Sequence, residues 1–246
     1  MTTKERFLIV IPVFNEEKNI EKVLKGIQEN LPKDIESEIL VINDGSTDGT
    51  SQKLRNKEIT VITHPFQSGY GTTLQTSYKY AASKRFDYLI QIDGDGQHHP
   101  FFIKDILGKL KSGEGDVVIG SRFMEVKENI HLEGNPYRGT FARMVGMKLF
   151  AFIVSFFTGL KVTDPTSGYI GMNREVFSFL KQDIYPVDYP DADVIIMLCK
   201  KGFNVIETPV LMSENKDKGT LHRGLKPVFY IYKMFLSILV TLLRKH

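Results

Sequence analysis

Two carboxylates one residue apart, Asp93 and Asp95, close the run YLIQIDGDGQHHP from Tyr88 to Pro100, with Gln97, His98 and His99 following. Oxygen donors at this spacing suit a hard divalent cation. Strand alternation places Asp93 and Asp95 on one face, where both can bind one ion, or one can bind it while the other holds ligand or water. Mg2+ or Mn2+ held by so few protein oxygens keeps positions open for phosphate oxygens, which suggests a nucleotide-diphosphate substrate. Gly94 is expected to let a ligand approach the backbone. An Asp-Gly-Asp-Gly run can also be a plain polar turn, so the neighbouring elements must decide.

Those elements alternate. FLIVIPVF precedes EEKNIEKVLKGIQENL, EILVIN precedes DGSTDGTSQKLRN, ITVITH leads through SGYGTT into a helix ending near Ser83, and YLIQID and DVVIGSR add further strands. This βα pattern predicts a mainly parallel sheet, in which ligands bind beyond the carboxyl ends of the strands. The polar clusters PVFNEE, NDGSTDGT and DGDGQHHP all fall at such ends, so one cleft can gather them. Pro12 and Glu16-Glu17 interrupt the first apolar run, which reads as a strand and not a secretion signal.

A chain of 246 residues with 42% hydrophobic content supports one large α/β domain, taken as residues 1–225. A net charge of only +3 argues against a nucleic-acid binder. The single Cys199 excludes an internal disulfide and is expected to fill space on a helix. Residues 226–246 read as an apolar helix with a narrow polar stripe of Lys226, Tyr230, Lys233, Ser237, Thr241 and Arg244. Such a helix suits the membrane interface better than a full crossing, or else packs on its own core or a dimer interface. FARMVGMKLFAFIVSFFTGL, Phe141 to Leu160, is a second stretch of the same kind.

PVFNEEKNI, VINDGSTDGT, DGDGQHHP, GSRF and DPTSGY occur in this order along the chain. The ordered set resembles the family 2 glycosyltransferases, and within them the polyprenyl-phosphate, dolichol-phosphate mannosyltransferase-like group. The resemblance spans about residues 6–215 and implies a GT-A nucleotide-sugar-binding α/β fold, extended here by the C-terminal amphipathic helix. It implies that Pro12, Phe14 and Glu16 surround the nucleotide, Glu16 near the ribose, with Ile42 and Asp44 near the base. Asp93, Gly94 and Asp95 match donor-binding positions, and Asp93, Asp95 and Gln97 match positions for the metal, Mg2+ or Mn2+, and diphosphate. Ser46 or Thr47 is expected to cap the next helix. His98 and His99 are ligand types, but the resemblance gives them a turn that starts a helix, and it assigns Gly69 and Gly71 to close helix packing.

A phosphate monoester acceptor is already an anion at neutral pH, so it needs cations more than a base. The resemblance implies Arg122 and Arg138 for acceptor phosphate, with Arg143 following them as a further candidate, and it implies that Asp164 either orients the acceptor region or acts as a base. Asp191 and Asp193 lie where relatives that glycosylate hydroxyls carry a base. One departure concerns the loop that closes on the diphosphate. Where relatives carry an arginine and Gly-x-Ser, this chain has Asn215, with Lys216, Lys218, His222 and Arg223 as alternative cations.

The expected reaction is an inverting, metal-dependent sugar transfer from a UDP- or GDP-sugar to undecaprenyl or dolichyl phosphate, by a peripheral protein at the cytoplasmic membrane face. A small membrane-protein partner and self-association are further expectations for the apolar tail. The alternatives are a saccharide hydroxyl acceptor in cell-surface polysaccharide synthesis and a catalytically silent sugar-nucleotide-binding subunit.

Overall fold

The computed structural model describes residues 5–126, 141–182, 185–186, 190–213 and 226–244. Its strands are β1 (Arg6–Val13), β2 (Glu36–Asn43), β3 (Thr60–Thr63), β4 (Tyr88–Gln91), β5 (Val117–Ser121), β6 (Ile170–Asn173) and β7 (Val205–Pro209). The helices are α1 (Ile20–Asn30), α2 (Thr50–Leu54), α3 (Tyr70–Ser83), α4 (Ile103–Lys111), α5 (Phe141–Thr158), α6 (Arg174–Leu180), α7 (Ala192–Lys201) and α8 (Lys226–Leu243). A short 3-10 turn, Pro100–Phe102, leads into α4.

The strands form one sheet in the order β3-β2-β1-β4-β6-β5-β7. Only β6 runs against its neighbours β4 and β5, while the other pairings are parallel. The carboxyl ends of β1, β2, β4 and β5 therefore share one edge with the loop that enters β6. This edge gathers the polar motifs.

The continuous apolar run of β1 follows from burial on both faces. Leu8 and Val10 join the core beneath α3, α5, α6, α7 and α8, whereas Phe7, Ile9, Ile11 and Val13 join the one beneath α1 and α4. Ile42, expected beside the base, is fully buried in the first of these cores with Leu74 and Tyr78 of α3. Its side chain serves packing, and contact with a ligand must come from its neighbours. Cys199 is half-buried on α7 and packs against the same core.

Three residues of the polar stripe of α8 face the protein: Tyr230 Oη donates to Asp191 Oδ2 at 2.6 Å, Ser237 Oγ donates to Asp193 Oδ2, and Thr241 is buried. Met234 and Ile238 add it to the main core, and Lys200 Nζ donates to the carbonyls of Thr241, Leu242 and Arg244 in its last turn. The apolar side points outward instead, with Phe229, Tyr232, Phe235, Leu236, Leu239, Val240 and Leu243 exposed. α5 lies alongside, its Phe150 packing against Tyr230 and Phe235, and it too exposes Val145, Leu149, Phe152, Phe156 and Phe157. Among the described residues no helix is long and apolar enough to cross a membrane.

Candidate active site at the carboxyl edge of the sheet

The loops after β1 and β2 are laced into one unit. Asn15 N–H donates to Ser46 Oγ, Thr47 N–H to Asn15 Oδ1, Glu16 N–H to Thr50 Oγ1 and Gly49 N–H to Glu17 Oε2. The cap position expected for Ser46 or Thr47 is taken by Gly49, which has no side chain to offer; Asp48 Oδ1 accepts from Thr50 N–H in the turn before it, and Ser46 is turned towards Asn15. Glu16 is half-buried within this unit, and Pro12 and Phe14 precede it at the end of β1. Asp44 is buried, and its carboxylate accepts from His64 Nδ1, Ser68 N–H and Gly69 N–H, which anchors the loop entering α3. A carboxylate offers about four acceptor positions, so these three donors leave one unused.

β4 ends at Gln91, so Asp93 and Asp95 lie in the turn beyond it. Strand alternation does not set their directions; side-chain contacts do. Tyr70 Oη donates to Asp93 Oδ1 at 2.8 Å and itself accepts from Gln91 Nε2 at 2.7 Å. Gln91 also donates to the Gly168 carbonyl. A Cβ at residue 168 would collide with Asp93 Oδ2, so glycine there makes room for the carboxylate. At Gly94 a Cβ would sit 2.5 Å from Val13 Cγ1, so its bareness lets the turn close on β1. Asp95 Oδ1 accepts from Gln97 N–H, and Gln97 bonds through side chain and backbone to Ser213, where the described part of that segment ends.

The histidines serve the scaffold. His98 is buried, stacks on Tyr169 and accepts the Asp93 N–H at Nδ1, and burial lowers its pKa to about 4, which keeps it neutral. His99 accepts from Phe101 N–H at the start of the 3-10 turn, the helix-starting role expected for the pair.

Electrostatics favour a cation here. Burial raises the pKa of Glu16, and the charges of Asp95, Asp48 and Asp93 act in the same direction. Burial likewise raises Asp93, although 30% of its side chain stays open. Carboxylates that repel one another in a partly desolvated cleft suit a divalent ion. Among the described residues no group of three or more His, Cys, Asp or Glu side chains forms a metal cage. The donor set therefore fits a hard ion bound through one or two carboxylates and completed by phosphate oxygens. Partners that orient a ligating carboxylate typically carry about 10–100-fold in metal affinity. Tyr70→Phe should weaken Mn2+ binding by that factor in calorimetry; an unchanged affinity would remove Asp93 from the ligand set.

Arg122 and Asp164 are brought together but not as free groups. Asp164 has no exposed surface, and both its oxygens accept from the Arg122 guanidinium, at 2.7 and 2.6 Å, and Oδ2 also from the Arg122 N–H. Arg122 Nη2 also reaches Thr166, and only 6% of its side chain is exposed. The structure thus places the Arg122 fork on a buried carboxylate, an arrangement that suits Asp164 to the orienting role among the two expected for it. Glu207 of β7 holds the same loop by accepting from the N–H groups of Thr163 and Asp164. Arg138, Asn215, Lys216, Lys218, His222 and Arg223 lie outside the described residues, as does the side chain of Arg143 on α5.

Asp191 and Asp193 begin α7. Asp193 is fully buried and accepts from the N–H groups of Asp191 and Val194. Burial raises Asp191 to about 7, and Asp93 and Arg122 both act on its charge. It lines a narrow crevice whose walls combine Tyr70, Gln91 and Gly168 with core side chains such as Leu74, Met172 and Leu198.

The family model for glycosyl transferase family 2 matches residues 8–180. The chain belongs to that family. Its curated relatives support the polyprenyl-phosphate group. A polyprenol monophosphomannose synthase of Mycolicibacterium smegmatis is 26% identical over 86% of this chain and 79% of the relative. A UDP-N-acetylglucosamine–dolichyl-phosphate N-acetylglucosaminyltransferase of Methanococcus voltae is 25% identical over 82% of this chain and 83% of its own. The fold matches glucosyl-3-phosphoglycerate synthase from Mycobacterium tuberculosis, solved with Mn2+ and UDP-glucose, at a TM-score of 0.68 and 20% identity over 96% of this chain and 78% of the other. The GT-A-like α/β expectation therefore holds. Tyr70, Gln91, Gly168 and Tyr230 were not singled out as site residues from the sequence, although Tyr70 stands between the two glycines of SGYGTT and Tyr230 belongs to the polar stripe.

Proposed function

We propose that this glycosyltransferase moves one sugar, with inversion, from a UDP- or GDP-sugar to a polyprenyl phosphate such as undecaprenyl or dolichyl phosphate. It acts at the cytoplasmic face of a membrane, with residues 1–225 as the catalytic unit and 226–246 as a docking helix. The observation that carries this reading is the apolar face of α5 and α8, turned outward while α8 holds the carboxylates at the start of α7. Exposed apolar surface on that scale suits a lipid surface better than water. The names of the curated relatives support the same acceptor class.

Asp93 and Asp95, with Gln97 beside them, would hold Mg2+ or Mn2+, which supplies charge neutralisation to the departing diphosphate. Glu16 accepts from a ribose hydroxyl and Asp44 from a base N–H. A phosphate acceptor brings its own negative oxygen, so the sealed state of Asp164 is no obstacle. Arg138 and Arg143 are the arginines left to meet that phosphate. A second reading, transfer to a saccharide hydroxyl, is favoured by Asp191, since a carboxyl near 7 suits a general base.

Purified protein with Mg2+ or Mn2+ and a panel of UDP- and GDP-sugars, with and without short-chain polyprenyl phosphate in detergent, separates the two. Lipid-dependent release of one nucleotide is expected. Release indifferent to lipid phosphate would overturn the acceptor.

A further inference from the structure

We propose that Tyr230 of α8 is a positioning residue for sugar transfer, so that the helix bearing the outward apolar face also completes the reacting end of the cleft. This rests on the reading of the carboxyl-edge cleft as a sugar-transfer site.

Asp191 is the carboxylate concerned. It faces the crevice that Tyr70, Gln91, Ser167 and Gly168 also line, and the charges of Asp93 and Arg122 reach it. As the residue before α7 it caps no helix N–H with its own side chain, which leaves the carboxylate to be directed from elsewhere. The direction comes from α8, through the 2.6 Å bond from Tyr230 Oη to Asp191 Oδ2. Its backbone is held from the same helix at one remove. Ser237 donates to Asp193, and Asp193 accepts the Asp191 N–H at 3.0 Å. Two successive turns of α8 thus fix both the backbone and the carboxylate of one residue. A helix needing only to cover the core would do so with Met234 and Ile238, which are already buried on this side. The hydroxyls at 230 and 237 instead reach the two carboxylates at the cleft end of α7, while Lys200 secures the far end of α8 through its last carbonyls.

The test compares the full-length protein with Tyr230→Phe, which removes one hydroxyl and keeps the ring packed on Phe150. Turnover and donor KM are measured in detergent with short-chain polyprenyl phosphate, flotation with phosphatidylglycerol vesicles, and thermal unfolding alongside. The expected result is a kcat about tenfold lower, the loss for one hydrogen bond to a charged group, with donor KM, flotation and Tm little changed. A kcat within twofold of wild type, or a loss matched by a fall in Tm, would overturn the proposal. Should the wild type release nucleotide without regard to lipid phosphate, the acceptor reading fails alone, and the same comparison is made on that release.

Discussion

Arg122→Ala is expected to lower the unfolding free energy by about 3–5 kcal/mol, the usual cost of removing one partner from a buried ion pair. In a chain of this size that corresponds to a fall in Tm on the order of 10 °C. The size follows from what is left behind. Asp164 has no exposed surface and both its oxygens are bonded to Arg122, so the variant strands a carboxylate beyond the reach of water. Glu207, already raised by burial and by the charge of Asp164, lies against the same loop and adds to the repulsion. Arg122→Lys should recover little, because one ammonium cannot reproduce two parallel bonds to Asp164 and a third to Thr166. Arg122→Met combined with Asp164→Leu should recover most of the loss, since apolar replacement of a whole buried pair is often neutral. Urea and thermal unfolding of the three variants decide the matter. An Arg122→Ala protein within about 1 kcal/mol of wild type would show that the pair does not hold the loop.

Asp95→Ala should show the opposite signature, with turnover falling and stability kept. Nucleotide release supported by Mn2+ is expected to drop by about 10²–10³-fold, the range seen when one preorganised group that offsets transition-state charge is removed. The fold should change by less than about 1 kcal/mol, because the Asp95 carboxylate sits in a partly exposed turn where it accepts the Gln97 N–H. Removing its charge also relieves Glu16, so the Glu16 pKa should move back down towards the ordinary carboxylate value. Release assays, unfolding and a carboxylate NMR titration on one preparation would check all three. Full turnover in Asp95→Ala would place the ion elsewhere.

The strand and helix pattern was legible because its signals are local. Apolar strands, polar turns and amphipathic helices repeat within short stretches, and parallel pairing sends every turn after a strand to the same edge. The fate of individual side chains was less legible because it depends on distant partners. Arg122 meets Asp164 from 42 positions away, and Asp93 is oriented by Tyr70 from 23 positions away. The chain shows that each is polar and suitably placed, but not which partner claims it. Asp93 and Asp95 were read by strand alternation that stops at Gln91, two residues too early. For α8 the periodicity identified two faces correctly and could not say which one met the protein. A stripe of Tyr, Ser and Thr looks solvated until the carboxylates of Asp191 and Asp193 are found beneath it.

The reversed strand β6 has a consequence for how this chain divides. The residues assigned to the base, the ribose and the metal come from residues 12–97, ahead of β5, while the loop of Asp164 to Gly168, α7 and α8 all follow it. Because β6 runs backwards, its incoming loop arrives at the same rim as the outgoing loops of the parallel strands. On the proposed reading, base and ribose recognition on one side and acceptor recognition on the other fall in two consecutive stretches of one polypeptide. A chimaera joined in the α4–β5 connection, between Lys111 and Val117, would exchange one preference while keeping the other.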